Sequence, residues 1–205
     1  MNILQQIIEV KKEEITLLRK QFSSNDYKGM ELFSRKTVSL KESLNNASPF
    51  GIIAEIKRSS PSAGTIRNSV FIEEIAEGYA MNGAAGISVL TDNKFFGGTI
   101  NDLATVRKYV QLPLLRKDFI IDAIQIYEAK AHGADAILLI AAVLEKSQLF
   151  DLHQLANELG LDALVELYEE QEIDKINFDK RFIGLIDPSR GLPRGYKISS
   201  TAYFG

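Results

Sequence analysis

The spacing of hydrophobic and polar positions changes several times along the chain, and each change predicts an element. Over residues 2–20 the apolar side chains Ile3, Leu4, Ile7, Ile8, Ile15 and Leu18 recur near helical spacing with charged residues between them. That pattern predicts an amphipathic helix. Residues 21–38 are polar, include Gly29 and read as irregular. A short helix is predicted at 39–45, with Ser39 as N-cap and Glu42 as its capping-box partner. Residues 1–48 are therefore expected to form an N-terminal helical extension, 49–184 a partial (β/α) barrel, and 185–205 a divergent tail.

From residue 50 the rhythm is different. Short β-prone runs lie at 52–56 (IIAEI), 86–90, 112–116, 135–140, 162–167 and 181–185. Helical patterns at 69–81, 100–109, 122–131, 146–159 and 169–176 separate them. Alternating βα units of this size predict a parallel sheet with right-handed crossovers. An open doubly wound sheet and a (β/α)8 barrel both fit that description. Charges near the strand ends favour the barrel. Glu55 and Lys57 share a strand face with Ile53; Lys117 shares one with Leu115, and Glu166 with Leu164. A charge is not expected to face an apolar helix layer, so these side chains are expected to point into a polar interior. An open sheet has apolar layers on both faces, whereas a barrel carries its polar groups at the C-terminal rim.

Composition narrows the function. The chain has 205 residues, 24 Lys plus Arg and 27 Asp plus Glu, for a net charge of −3, and no Cys. Without Cys there is no disulfide, no thiolate zinc site and no cysteine nucleophile. The slightly acidic balance argues against a nucleic-acid partner. No apolar run is long enough to span a membrane, and the first 20 residues do not resemble a signal peptide. A cytoplasmic location is expected. His132 and His153 lie in helical patterns and read as surface or packing residues, and no pair of candidate ligands has metal-binding spacing.

The candidate chemistry lies at the strand ends. Glu55 and Lys57 fit either a salt bridge closing the barrel or a cation for an anionic substrate, oriented by a carboxylate. The polar loop that follows them, RSSPSAGTI, favours the second, because Arg58, Ser60 and Ser62 can hydrogen-bond a phosphate or carboxylate. Lys117 in LRKDF is expected to point inward, with Arg116 and Asp118 on the opposite side. Buried beside another cation, such a lysine suits a general acid or a Schiff-base nucleophile. Glu166 either neutralises Lys117 across the barrel or serves as a general base or as a stabiliser of developing positive charge. Phe95 and Phe96, just before two glycines, form either loop packing or a wall for a ring.

These segments resemble a known family. IIAEIKRSSPSAG at 52–64 is similar to the first-strand signature of the indole-3-glycerol phosphate synthases, the ring-closing enzymes of tryptophan biosynthesis. The resemblance continues through ISVLTDNKFFGGTINDL at 87–103, LPLLRKDFIID at 112–122, YEAKAHGADAILLIAAVL at 127–144 and ALVELYEEQEID at 163–174, and covers about residues 1–184. It implies a (β/α)8 TIM barrel with an N-terminal helical extension. It also implies a carboxy-lyase that acts on 1-(2-carboxyphenylamino)-1-deoxyribulose 5-phosphate, with no cofactor and no metal. By the same resemblance Lys117 is the general acid, Glu166 the general base, and Glu55 and Lys57 the strand-one catalytic pair. Ser60 falls on the family's first-loop serine, and Phe96 and Phe119 line the anthranilate pocket. Lys57 and Arg58 supply cations for the substrate's carboxylate and phosphate.

Past Gly184 the resemblance stops. Ile186 and Pro188 stand where the family carries an Asn-x-Arg motif, and a full barrel needs about 250 residues. The chain is therefore expected to be truncated after about six strands. Strands one and six would then have exposed edges that invite aggregation or association. A frameshifted tail is one explanation, and a genuine tail is the other. Two further readings are an inactive barrel fragment and a phosphosugar isomerase; the isomerase needs no aromatic slot.

Overall fold

The computed structural model describes residues 3–60, 64–65, 71–176, 182–186 and 203–204, with backbone alone at 60, 64–65, 182–186 and 203–204. The predicted first helix is α1 (Ile3–Gln21). Residues 21–38, read from sequence as irregular, contain α2 (Ser24–Lys28) and a 3-10 turn at Glu31–Ser34. A reciprocal capping box joins Ser23 and Asp26, a signal present in the sequence but attached to a helix too short to show a period. Its one large apolar contact is Tyr27, buried to 1%. The helix predicted at 39–45 is α3 (Leu40–Asn46). The Ser39 side chain accepts a hydrogen bond from the Glu42 backbone N–H, which is one half of the expected capping box.

The βα rhythm becomes β1 (Ile53–Ile56), α4 (Ile72–Met81), β4 (Gly86–Leu90), α5 (Asn93–Phe96), α6 (Ile100–Tyr109), β5 (Leu114–Lys117), α7 (Ala123–Ala131), β6 (Ala136–Ile140), α8 (Lys146–Glu158), β7 (Asp162–Leu167) and β8 (Phe182–Ile186). A small antiparallel ribbon, β2 (Ser59–Ser60) with β3 (Gly64–Thr65), follows the first strand. The helix expected over 169–176 is a 3-10 turn at Glu170–Lys175.

The main sheet runs β1-β4-β5-β6-β7-β8, with every neighbouring pair parallel. Each new strand is added beyond the previous one, and the order never reverses. A doubly wound sheet reverses direction at a switch point, whereas a barrel winds one way. The topology therefore agrees with the barrel reading. At the far side β8 pairs antiparallel with β9 (Tyr203–Phe204), through Ile183 with Phe204 and Gly184 with Tyr203. The sixth parallel strand is thus partnered on both sides, contrary to the exposed edge expected from sequence. Residues 187–202 and 205 of the tail lie outside the described residues.

Strand alternation sorts side chains into two layers. Ile87, Val89, Ile137, Leu139, Ala163 and Val165 face the helices. Leu115, Ala136, Leu138, Ile140 and Leu164 face inward and pack against Leu40 of α3. The middle of the interior is therefore apolar, with Glu55, Lys117 and Glu166 above it. Burial on both faces explains why β4 and β6 are buried at every position.

The extension seals the bottom of the sheet. Val38 N–H donates to Asp135 (2.8 Å), Lys41 N–H to Asp162 (3.1 Å), and the Ser43 hydroxyl to the Ala85 carbonyl (2.5 Å). Leu40 packs closely over Gly86, where a Cβ would come within 2.6 Å of Leu40 Cδ1. Asp135, with no exposed surface, anchors this end. It receives Arg35 at 2.5 Å, Arg107 at 2.8 Å and the Leu114 N–H at 2.9 Å.

Candidate active site

The other end of the sheet holds the candidate chemistry. β1 carries Glu55 inward, because Ile53, two residues earlier, packs on the interior cluster. Lys117 ends β5 one pleat above the inward-facing Leu115, and Glu166 lies on β7 one pleat above the inward-facing Leu164. Lys117 Nζ donates to Glu55 Oε2 at 2.6 Å, and Lys57 Nζ lies 3.0 Å from Glu55 Oε1. One carboxylate thus holds two ammonium groups. Burial alone would raise the Glu55 pKa, but hydrogen bonds and charge from Lys117 and Lys57 outweigh it and hold the carboxyl below its usual range.

Lys117 is not as buried as the sequence reading supposed. Its side chain is 37% exposed and ion-paired. Glu166 is buried, with 7% of its surface exposed.

Phe96 and Phe119 come from different loops and meet, with ring centroids 6.2 Å apart and planes inclined by 32°. α5 places Phe96; it starts at Asp92, whose side chain accepts from the Phe95 N–H, and ends at Gly97 in the left-handed region (φ 67°). Gly98 follows because a Cβ there would lie 2.0 Å from the Leu90 carbonyl oxygen. The FFGG run is therefore a geometric requirement for bringing Phe96 close to the strand end.

Arg58 is held by Asp102 of α6, with Nε at 3.1 Å from Oδ2 and Nη2 at 2.8 Å from Oδ1. This bidentate pair fixes the guanidinium and leaves its other donors outside the pair. Ser60 lies on β2, and its side chain is outside the described residues, as is Ser62. His153 is buried within α8, and His132 caps α7, as the sequence reading expected for packing residues. Among the described residues no group of three or more His, Asp or Glu side chains could hold a metal ion, and no helix is long and apolar enough to cross a membrane.

Sequence reasoning placed Arg116 and Asp118 opposite Lys117 but missed the partners that hold them there. The premise that charges avoid the helix layer fails at Arg116 and Asp118, which are 4% exposed and lie on that side of the sheet. They are tolerated because each is paired. Arg116 reaches Asp118 at 3.1 Å, Glu128 at 2.8 Å and the Gln125 carbonyl at 2.8 Å. Lys11 of α1 enters the same cluster. Its signal was readable, because Ile7, Lys11 and Ile15 share one helix face and all are buried.

Within this cluster burial would raise the Asp118 pKa, but Arg116 and Lys11 pull it down to about 2. Its folded value lies below the unfolded value of about 4. The stabilisation is therefore present above about pH 4 and is lost as pH falls toward 2, worth on the order of 2 kcal/mol. We expect Asp118→Asn to flatten the acid side of the curve of unfolding free energy against pH. Denaturant titrations between pH 2 and 7 check this, and an unchanged slope contradicts it.

One-way parallel winding, with Glu55, Lys117 and Glu166 gathered at the C-terminal strand ends, is the layout of the (β/α)-barrel class. The sequence matches the family profile for indole-3-glycerol phosphate synthase over residues 4–188. It is 42% identical over 190 residues to the indole-3-glycerol phosphate synthase of Bacteroides thetaiotaomicron, covering 93% of this chain and 73% of the relative. The corresponding enzyme of Salinibacter ruber is 43% identical over 182 residues, covering 88% and 67%. That of Prochlorococcus marinus is 46% identical over 182 residues, covering 88% and 62%. The chain belongs to the indole-3-glycerol phosphate synthase family, carboxy-lyases of tryptophan biosynthesis that act on a phosphorylated small-molecule substrate.

Proposed function

We propose that this chain converts 1-(2-carboxyphenylamino)-1-deoxyribulose 5-phosphate into indole-3-glycerol phosphate, carbon dioxide and water, and that the groups at the strand ends carry the steps. The reading rests chiefly on one observation: Lys117, held 2.6 Å from Glu55, rises from the same interior face as Glu166. The ring carbon that bears the carboxylate attacks the ketose carbonyl. As the C–C bond forms, the carbonyl electron pair moves to oxygen, and Lys117 gives that oxygen a proton. The bond to the carboxylate then breaks, its electron pair restores the aromatic ring, and carbon dioxide leaves. The nitrogen lone pair then expels the new hydroxyl, which leaves as water with a proton from the ammonium groups held at Glu55, and Glu166 takes the proton from the carbon next to nitrogen. The ring itself acts as the electron sink, so no cofactor enters the scheme.

Glu55 orients Lys117 and Lys57. Lys57 and the donors of Arg58 outside its Asp102 pair attract the substrate's carboxylate and phosphate, with Ser60 as a further donor, while Phe96 and Phe119 flank the anthranilate ring. The inactive-fragment alternative is not favoured, because the family match spans Glu55, Lys117 and Glu166. The division into a 1–48 extension, a 49–184 barrel portion and a 185–205 tail is part of this proposal, as is the cytoplasmic setting. Association through a barrel edge belongs to it too. Among the described strands β1 pairs with β4 alone, and Ile52 beside it is 59% exposed. Sedimentation as a lone monomer would contradict that association.

The test of the function is an assay with two substrates. The chain is expected to release carbon dioxide from the arylamino ketose phosphate in step with the rise of indole absorbance. It is expected not to interconvert simple aldose and ketose phosphates. The opposite pattern would replace this reading with the isomerase.

A further inference from the structure

We propose that Lys11, on the N-terminal helix, is a positioning residue for the reaction. Its buried ammonium locks the segment carrying Phe96 to the strand end carrying Lys117 and Phe119. The inference rests on the acid role given to Lys117 above.

Lys11 is 4% exposed. Its Nζ lies 2.9 Å from Asp92 Oδ2, 3.0 Å from Asp118 Oδ1 and 2.7 Å from Glu14 Oε2. The two aspartates belong to different βα loops, and each is tied to the backbone beside a site residue. Asp92 accepts from the Phe95 N–H at 2.8 Å and so sets the start of α5, which ends with Phe96. Asp118 follows Lys117 directly and accepts from the Phe119 N–H at 2.8 Å. The loops also touch directly: Thr91 N–H donates to the Lys117 carbonyl at 3.1 Å, and the Thr91 hydroxyl donates to Asp118 at 2.7 Å.

The cation balance makes Lys11 the critical member. Asp118 keeps a second cation, Arg116, at 3.1 Å. The Asp92 side chain is 1% exposed, and Lys11 is its only cation among the described residues. Without Lys11, two buried carboxylates would share one space, with Asp92 uncompensated. A buried, unpaired charge is relieved by moving toward water. That movement would carry the start of α5, and with it Phe96, away from Phe119 and Lys117. Displacement of a positioning group by about 1 Å can cost roughly 10²-fold in rate.

The experiment compares the full chain with Lys11→Met, Lys11→Arg and Lys117→Met, using amide hydrogen exchange by mass spectrometry together with steady-state kinetics. For Lys11→Met we expect faster exchange in peptides covering 91–98 and 117–122 while peptides of α1 stay protected. We also expect kcat to fall by about 10²-fold with a smaller change in KM. Lys11→Arg should keep both the protection and most of the turnover. Unchanged exchange in the two loops would overturn the proposal. So would a loss of protection shared equally by α1, because that is undocking of the helix and not repositioning of the site. Full turnover by Lys117→Met would remove the acid assignment, and the positioning role with it, whereas the exchange result alone decides whether Lys11 holds the loops.

Discussion

Lys117→Met should lower kcat for ring closure by about 10²–10⁴-fold and leave the chain folded. Methionine keeps the apolar stem of the lysine but cannot give a proton to the ketose oxygen as the C–C bond forms. The fold should survive because Lys117 is a rim group with a 37% exposed side chain. Glu55 also keeps Lys57 at 3.0 Å, so no carboxylate is stranded. The check is kcat for the variant beside its circular dichroism spectrum. A native spectrum with kcat within tenfold of the parent chain would contradict the assignment.

The largest expected loss of stability lies at the opposite end of the sheet. Asp135→Asn should destabilise the chain by about 3–5 kcal/mol in urea denaturation. The carboxylate is fully buried and serves Arg35, Arg107 and the backbone N–H groups of Val38 and Leu114. Burial already pushes the Arg107 pKa down, with Asp135 as its counter-charge. The amide keeps the shape but leaves Arg107, with its side chain only 4% exposed, without that charge. It also loosens the joint between the extension and the strands. A loss below about 1 kcal/mol would mean that the site behaves like a surface pair.

The sequence showed most of the fold because βα alternation writes its period directly into the apolar positions. Ile87, Val89, Leu139 and Val165 lie where strand patterning put them. Strand-face arithmetic also put Glu55, Lys57, Lys117 and Glu166 on inward faces, since alternation from Ile53, Leu115 and Leu164 depends on local geometry alone. What stayed hidden depends on contacts between distant segments. α2 is five residues long and leaves no period, and only its Ser23–Asp26 box marked it. The Arg58–Asp102 pair joins residues 44 positions apart, and nothing local announces it. Lys11 stood in plain view between Ile7 and Ile15, but its partners Asp92 and Asp118 could not be named without the docking of α1. The rule that charges avoid the helix layer failed at Arg116 and Asp118 for the same reason, because pairing removes the penalty on which the rule depends.

The decisive measurement is a crystal structure of the chain bound to the substrate with its ketose carbonyl reduced to an alcohol, a form that binds but cannot condense. The account predicts the aromatic ring beside Phe96 and Phe119, Lys117 Nζ within about 3 Å of the alcohol oxygen, and the Glu166 carboxylate facing the carbon next to nitrogen. A ligand bound elsewhere, or one seated with Lys117 still turned to Glu55 and away from that oxygen, would contradict it.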